Sequence, residues 1–243
     1  MSEFLLVLVV ASVAALLTYL GAPLAERFDA PQRVVSAALQ FAAGLITALV
    51  AFSLMPPAVR DGPAIGVVLG FFVGGALFVT LEYNSARTVA ASPAATGGSG
   101  SLGLYIGILV DLVIDGAVIG IGSSLTLETG LLLALGLAVG TLPLAFVTIS
   151  TAKRQGMPPE RRKQLSYLFI ACMIGGAALG FLLLRDQPLG PKMVVIALAS
   201  GFLITTVTQS MIPEANRNGE PSFAGILYMS GLSIYALSTL ALN

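Results

Sequence analysis

The chain has no histidine, no tryptophan and a single cysteine in 243 residues, and only 10% of its residues are charged. Each shortage excludes something. Without histidine, the usual general base and the commonest zinc ligand are gone. No nucleophile–base pair and no cofactor fingerprint take their place, so the sequence reads as that of a non-enzyme with no cofactor. The lone thiol, Cys172 in an apolar run, builds no disulfide framework. Twelve Lys and Arg balance twelve Asp and Glu, which leaves no basic field for nucleic acid. A soluble domain carries charge on about a quarter of its residues. This chain is 56% apolar with a mean hydropathy of +0.94, and its surroundings are a lipid bilayer.

What is present is a succession of long apolar runs. Crossing the hydrocarbon core of about 30 Å takes about 20 helical residues, and charges punctuate the chain at that interval. The runs predict an all-α integral membrane protein with eight transmembrane helices, at 4–24, 35–59, 63–81, 102–126, 129–152, 165–184, 193–213 and 222–242. Residues 1–243 then form a single transmembrane domain. The first run, from Phe4 to Ala22, has no Lys or Arg before it and reads as a span rather than a signal peptide. The segment 85–101, ending Gly97-Gly98-Ser99-Gly100-Ser101, is small and polar and reads as a flexible cytoplasmic loop. Nine cations (Arg27, Arg33, Arg87, Lys153, Arg154, Arg161, Arg162, Lys163 and Arg217) follow odd-numbered spans, against Arg60, Arg185 and Lys192 in the other loops. The positive-inside rule then puts both termini outside, in a bacterial or archaeal inner (plasma) membrane.

The sequence also repeats itself. Ala42, Gly44, Ser53, Pro56, Ala58, Arg60 and Gly62 recur without a gap as Ala199, Gly201, Ser210, Pro213, Ala215, Arg217 and Gly219. These stretches close spans two and seven, which leave on opposite sides of the membrane. The repeat is therefore inverted, with spans 1–3 mirroring spans 6–8 around spans 4–5. Inverted repeats are a hallmark of secondary transporters, in which two halves move around a midplane site.

Few charges lie inside the spans. Asp111 and Asp115 share one face of span four at i and i+4, and no Lys, Arg or His lies in any span to neutralise them. One carboxylate at that depth costs about 3 kcal/mol or more. A cation, protons or cavity water must compensate, or else an acid kept neutral hydrogen-bonds a neighbouring helix. In span five Pro143 frees the carbonyl of Val139, which could ligate a hard cation or be satisfied by Thr141 or water. Gly136 and Gly140 there make a small-residue packing face, and Gly175-Gly176-Ala177-Ala178-Leu179-Gly180 in span six makes another. Cys172 and Met173 add at most soft secondary contacts.

These pieces resemble the ZIP family of divalent metal transporters over nearly the whole chain. The resemblance rests on Ser53-Leu54-Met55-Pro56-Pro57-Ala58, on Asp115-Gly116-Ala117-Val118-Ile119-Gly120, on the Pro-containing fifth span and on Ile212-Pro213-Glu214-Ala215-Asn216-Arg217-Asn218-Gly219. It implies eight spans with both termini outside, a homodimer, and a metal site in spans four and five. The family's His-Asn-x-x-Asp/Glu-Gly in span four corresponds to Asp111-Leu112-Val113-Ile114-Asp115-Gly116. Its His-Glu-x-Pro-Glu in span five corresponds to Gly140-Thr141-Leu142-Pro143-Leu144, its Glu-Pro in span six to Met173-Ile174, and its His-Glu in span seven to Gln209-Ser210. The expected cation substrate is therefore a divalent metal held through Asp111, Asp115, Thr141 and Met173, and oxygen ligation favours a hard ion over zinc. Two other readings stand beside this one. The scaffold could carry another solute with proton coupling, or serve as a non-transporting membrane interaction protein.

Overall fold

A computed structural model describes residues 2–29, 31–90, 100–217 and 223–242, with the backbone alone for residues 2, 85–90, 100–104, 241 and 242. Among the described residues there is helix and no strand. The helices are α1 (Ser2–Tyr19), α2 (Gly21–Arg27), α3 (Gln32–Leu49), α4 (Met55–Asp61), α5 (Ala64–Ala90), α6 (Gly100–Leu125), α7 (Leu127–Arg154), α8 (Pro159–Leu184), α9 (Leu189–Thr206), α10 (Ile212–Ala215) and α11 (Ala224–Leu242). Two π-helical turns, Val50–Leu54 and Val207–Met211, join α3 to α4 and α9 to α10.

Seven of these stretches are long and apolar enough to cross a bilayer: Glu3–Arg27, Gln32–Asp61, Ala64–Asn84, Tyr105–Leu125, Leu127–Arg154, Pro159–Leu184 and Leu189–Ala215. Ala224–Leu240 is a shorter apolar helix. This is the composition of a helical integral membrane protein, in which each backbone N–H and C=O is satisfied within its own segment. The breaks between helices have local causes. Thr126 caps α7, its hydroxyl accepting from the Thr129 N–H at 3.0 Å. Pro31, Pro158 and Pro188 stand just before α3, α8 and α9, where the missing N–H breaks no helical bond. Between α7 and α8, Gly156 takes φ 77°, a conformation that costs glycine little. Helix α5 continues through Ala90 and α6 starts at Gly100. Residues 91–99 of the segment read as a flexible loop lie outside the described residues.

Packing falls into two groups. α6 lies chiefly against α8, with α1 and α7 alongside, while α5 pairs with α9 and α3 with α11. The groups meet where α3 touches α7 and where α6 touches α5 and α9. The α6/α8 contact is glycine-mediated from both sides. Gly116 and Gly120 sit against the carbonyls of Met173 and Ala177, and Gly176 and Gly180 against those of Val113 and Ala117. A Cβ at any of the four would overlap backbone, so only glycine permits this approach.

The π turns share a local cause. Pro56 and Pro213 follow them, and each ring clashes with the carbonyl four residues back, on Phe52 and Gln209, while offering it no N–H. A single π turn inside an α-helix is one way to accommodate such a defect, and α7 carries Pro143 without one. The second turn lies 157 residues after the first, and α9 begins and ends 157 residues after α3. The glycine contacts repeat at the same interval. Gly44 meets the carbonyl of Tyr228 and Gly231 that of Phe41; correspondingly, Gly201 meets that of Phe71 and Gly74 that of Leu198.

Polar contacts tie the ends of the bundle. At one end Arg162 grips Glu26, with Nη2–Oε2 at 2.9 Å, and donates to the Met157 carbonyl. Beside it Lys153 pairs with Asp29 at 3.0 Å. At the other end Glu3, the α6–α7 junction around Thr126, and Arg185 with Asp186 line one cavity of about 370 Å³.

Candidate functional site

The acid pair lies where the two packing groups meet. α6 carries it because Gly116, the residue after Asp115, seats the helix against α8, which fixes the rotation that sends both acids inward. Asp111 is 2% exposed and Asp115 fully buried. Thr206, at the end of α9, donates to Asp111 Oδ1 at 3.1 Å and is also within 3.2 Å of its own Phe202 carbonyl. It has one proton, so Asp111 shares that donor.

Asp115 has less. Both of its carboxylate oxygens are buried with no hydrogen-bond partner. Among the described residues the other buried side-chain oxygen in that condition is Ser123 Oγ, eight residues further along α6 and about 12 Å away along its axis. A carboxylate without donors in an apolar interior is tolerable only if it carries a proton or meets a cation. This pair is consequently a place where positive charge is favoured.

The remaining sequence-chosen residues are arranged unequally. Met173 is fully buried on α8, its carbonyl against Gly116, the residue after Asp115. Thr141 is fully buried on α7, but its hydroxyl bonds the Thr18 hydroxyl and the Leu137 carbonyl, both at 2.9 Å, and bonds neither acid. Thr148, a second buried threonine of α7, donates to the Leu144 carbonyl at 2.8 Å. Pro143 lies inside the continuous helix α7, and the adjacent Gly136 and Gly140 face Leu49 and Ile46 of α3. Thr206 escaped the sequence reading. The signal for it was a hydroxyl residue in span seven shortly before the repeated Ser210 and Pro213, but nothing in the sequence said which face of α9 meets α6.

The donor set is oxygen: two carboxylates and one hydroxyl. No group of three or more His, Cys, Asp or Glu is gathered among the described residues, whereas a zinc site takes four ligands, mostly N or S. No protein-family model matches this chain, and no curated protein matches its sequence.

Proposed function

We propose that the protein is a ZIP-like secondary transporter that moves a cation across the membrane through Asp111 and Asp115. The reading takes the seven long apolar helices and α11 as eight spans with both termini outside, and spans 1–3 and 6–8 as inverted repeats around spans 4–5. The observation that carries it is Asp115: a carboxylate at mid-span with no donor for either oxygen, one turn from a second acid that shares a single hydroxyl. A purely structural acid would be expected to hydrogen-bond its surroundings. The 157-residue interval relating the π turns and the glycine contacts supports the repeat. Oxygen ligation supports Mg²⁺, Mn²⁺ or Ca²⁺ over zinc as substrate.

The test is uptake into proteoliposomes, with Mg²⁺, Mn²⁺, Ca²⁺, Zn²⁺ and Na⁺ offered separately with and without a pH gradient. Uptake of a hard divalent ion that Asp115→Asn removes is the expected result. Retention of full uptake by an Asp111→Asn/Asp115→Asn double variant would overturn the assignment of the site. Absence of transport for every ion would leave the scaffold as a membrane interaction protein and overturn the transporter reading.

A further inference from the structure

A groove of about 700 Å³ opens between the ends of α6 and α8, at the end of the bundle that carries the Glu26–Arg162 pair. α8 lines it with Arg161, Gln164, Leu165, Leu168 and Ala171, a spacing of i, i+3, i+4, i+7 and i+10 that makes one helix face. The opposite wall is Tyr105, Ile106 and Leu109 of α6. Along α8 this face grades from a guanidinium and an amide at the helix start to aliphatic carbon about 15 Å deeper. A ligand that fills it needs a charged end and a hydrocarbon end.

The charges around the mouth specify the sign. Residues 153–163 hold five cations and one acid, Glu160. Two of the five are used internally: Arg162 is buried on Glu26 and Lys153 is paired with Asp29. Among the described residues Arg161 has no carboxylate partner, and Lys163 lies 5.9 Å from the Tyr167 ring, another residue of the groove wall. The polar end of the groove thus keeps a net positive charge, and its apolar end runs along a helix, Pro159–Leu184, that is long and apolar enough to cross a bilayer.

We infer that this groove is a binding site for an anionic phospholipid, whose phosphate meets Arg161 and Gln164 and whose acyl chain lies along Leu165, Leu168 and Ala171. Zwitterionic lipid supplies the same hydrocarbon without net charge and binds less well. One cation near an anionic surface contributes roughly a five-fold preference. The site is independent of the transport reading.

The absence of tryptophan permits a direct measurement. Leu168→Trp places a single fluorophore in the groove, and Leu237→Trp places one on an exposed surface elsewhere, where Leu237 is 67% exposed. Each full-length variant is reconstituted with brominated phosphatidylglycerol or brominated phosphatidylcholine at equal mole fraction. The expected result is that phosphatidylglycerol quenches position 168 with roughly five-fold greater apparent affinity, that Arg161→Gln removes the difference, that Arg161→Lys keeps most of it, and that position 237 shows none. Equal quenching by both lipids at position 168, or a preference that survives Arg161→Gln, overturns the inference. So does no quenching at position 168 by either lipid, which would mean that something other than lipid covers the groove. Thermal melts of the unlabelled chain with each lipid supply a second readout, in which only phosphatidylglycerol stabilisation should depend on Arg161.

Discussion

A buried carboxylate with no partner is costly to the fold, and Asp115 makes that cost measurable. An unsatisfied buried polar group destabilises by about 1–3 kcal/mol, so Asp115→Leu should raise the stability of the cation-free protein by about that amount while abolishing any cation-dependent rise. Asp111 differs because it holds part of a hydroxyl proton. Thr206→Val should remove that bond at a cost of about 1 kcal/mol without changing the charge of the site. Thermal melts in detergent with and without Mn²⁺ or Mg²⁺ compare the three. A loss of stability in Asp115→Leu would mean that the carboxylate has a structural partner. The same pair should also make cation binding pH-dependent. A bound cation favours both carboxylates ionised, so protons compete for the site, and the cation-induced stabilisation should weaken as pH falls. Stabilisation that is flat between pH 5 and pH 8, or unchanged in the double Asn variant, would move the cation site elsewhere. The acids were legible in the sequence because intramembrane charge is rare. Thr206 was not, since a threonine in an apolar helix is ordinary and only the α6–α9 crossing brings it to Asp111.

At the scale of elements, close helix contact rests on particular glycines rather than on glycine content. Gly175 and Gly176 are adjacent, yet a Cβ on Gly175 meets nothing within 4 Å and one on Gly176 meets the backbone of Val113. Gly176→Ala should therefore cost about 1–3 kcal/mol through overpacking, whereas Gly175→Ala should be neutral or slightly stabilising through the unfolded chain. The repeat supplies a matched pair in Gly44→Ala and Gly201→Ala, each forced against a carbonyl of the partner helix. These two should lose similar stability, and a thermal melt with equal losses at Gly175 and Gly176 would contradict the packing. Hydropathy found the apolar runs because lipid demands them, but apolarity marks hydrocarbon depth, not helix ends. Hence α3 begins at Gln32 and α5 runs on to Ala90, through polar residues beyond the expected limits of 35 and 81. Gly136 and Gly140 were legible as a packing face, but their partner α3 was not. The π turns left only Pro56 and Pro213 as traces, because one extra residue in a helical turn does not alter its apolar character.

For the whole molecule, the decisive quantity is which end faces the cytoplasm. Nine cations follow odd-numbered spans and three follow even-numbered ones, and the side-chain pairing is consistent with that division. Glu26 and Asp29, after the first span, meet Arg162 and Lys153, after the fifth. Glu3 shares a cavity with Arg185 and Asp186, after the sixth. The former end should be cytoplasmic. The test uses single cysteines in a Cys172→Ser background. Position 162 is unsuitable because the Arg162 side chain is buried against Glu26, whereas Arg154 and Lys163 carry no structural ion pair among the described residues. Arg154→Cys and Lys163→Cys should react with a membrane-impermeant maleimide only after right-side-out vesicles are opened. Asp61→Cys and Gln187→Cys should react in sealed vesicles. Among the described residues Asp61 pairs with its neighbour Arg60 alone, so its replacement leaves the bundle intact. Reaction of Lys163→Cys in sealed vesicles together with protection of Gln187→Cys would reverse the orientation. Labelling of Asp61→Cys and Gln187→Cys from different sides would break the alternation itself, and with it both the eight-span count and the inverted repeat.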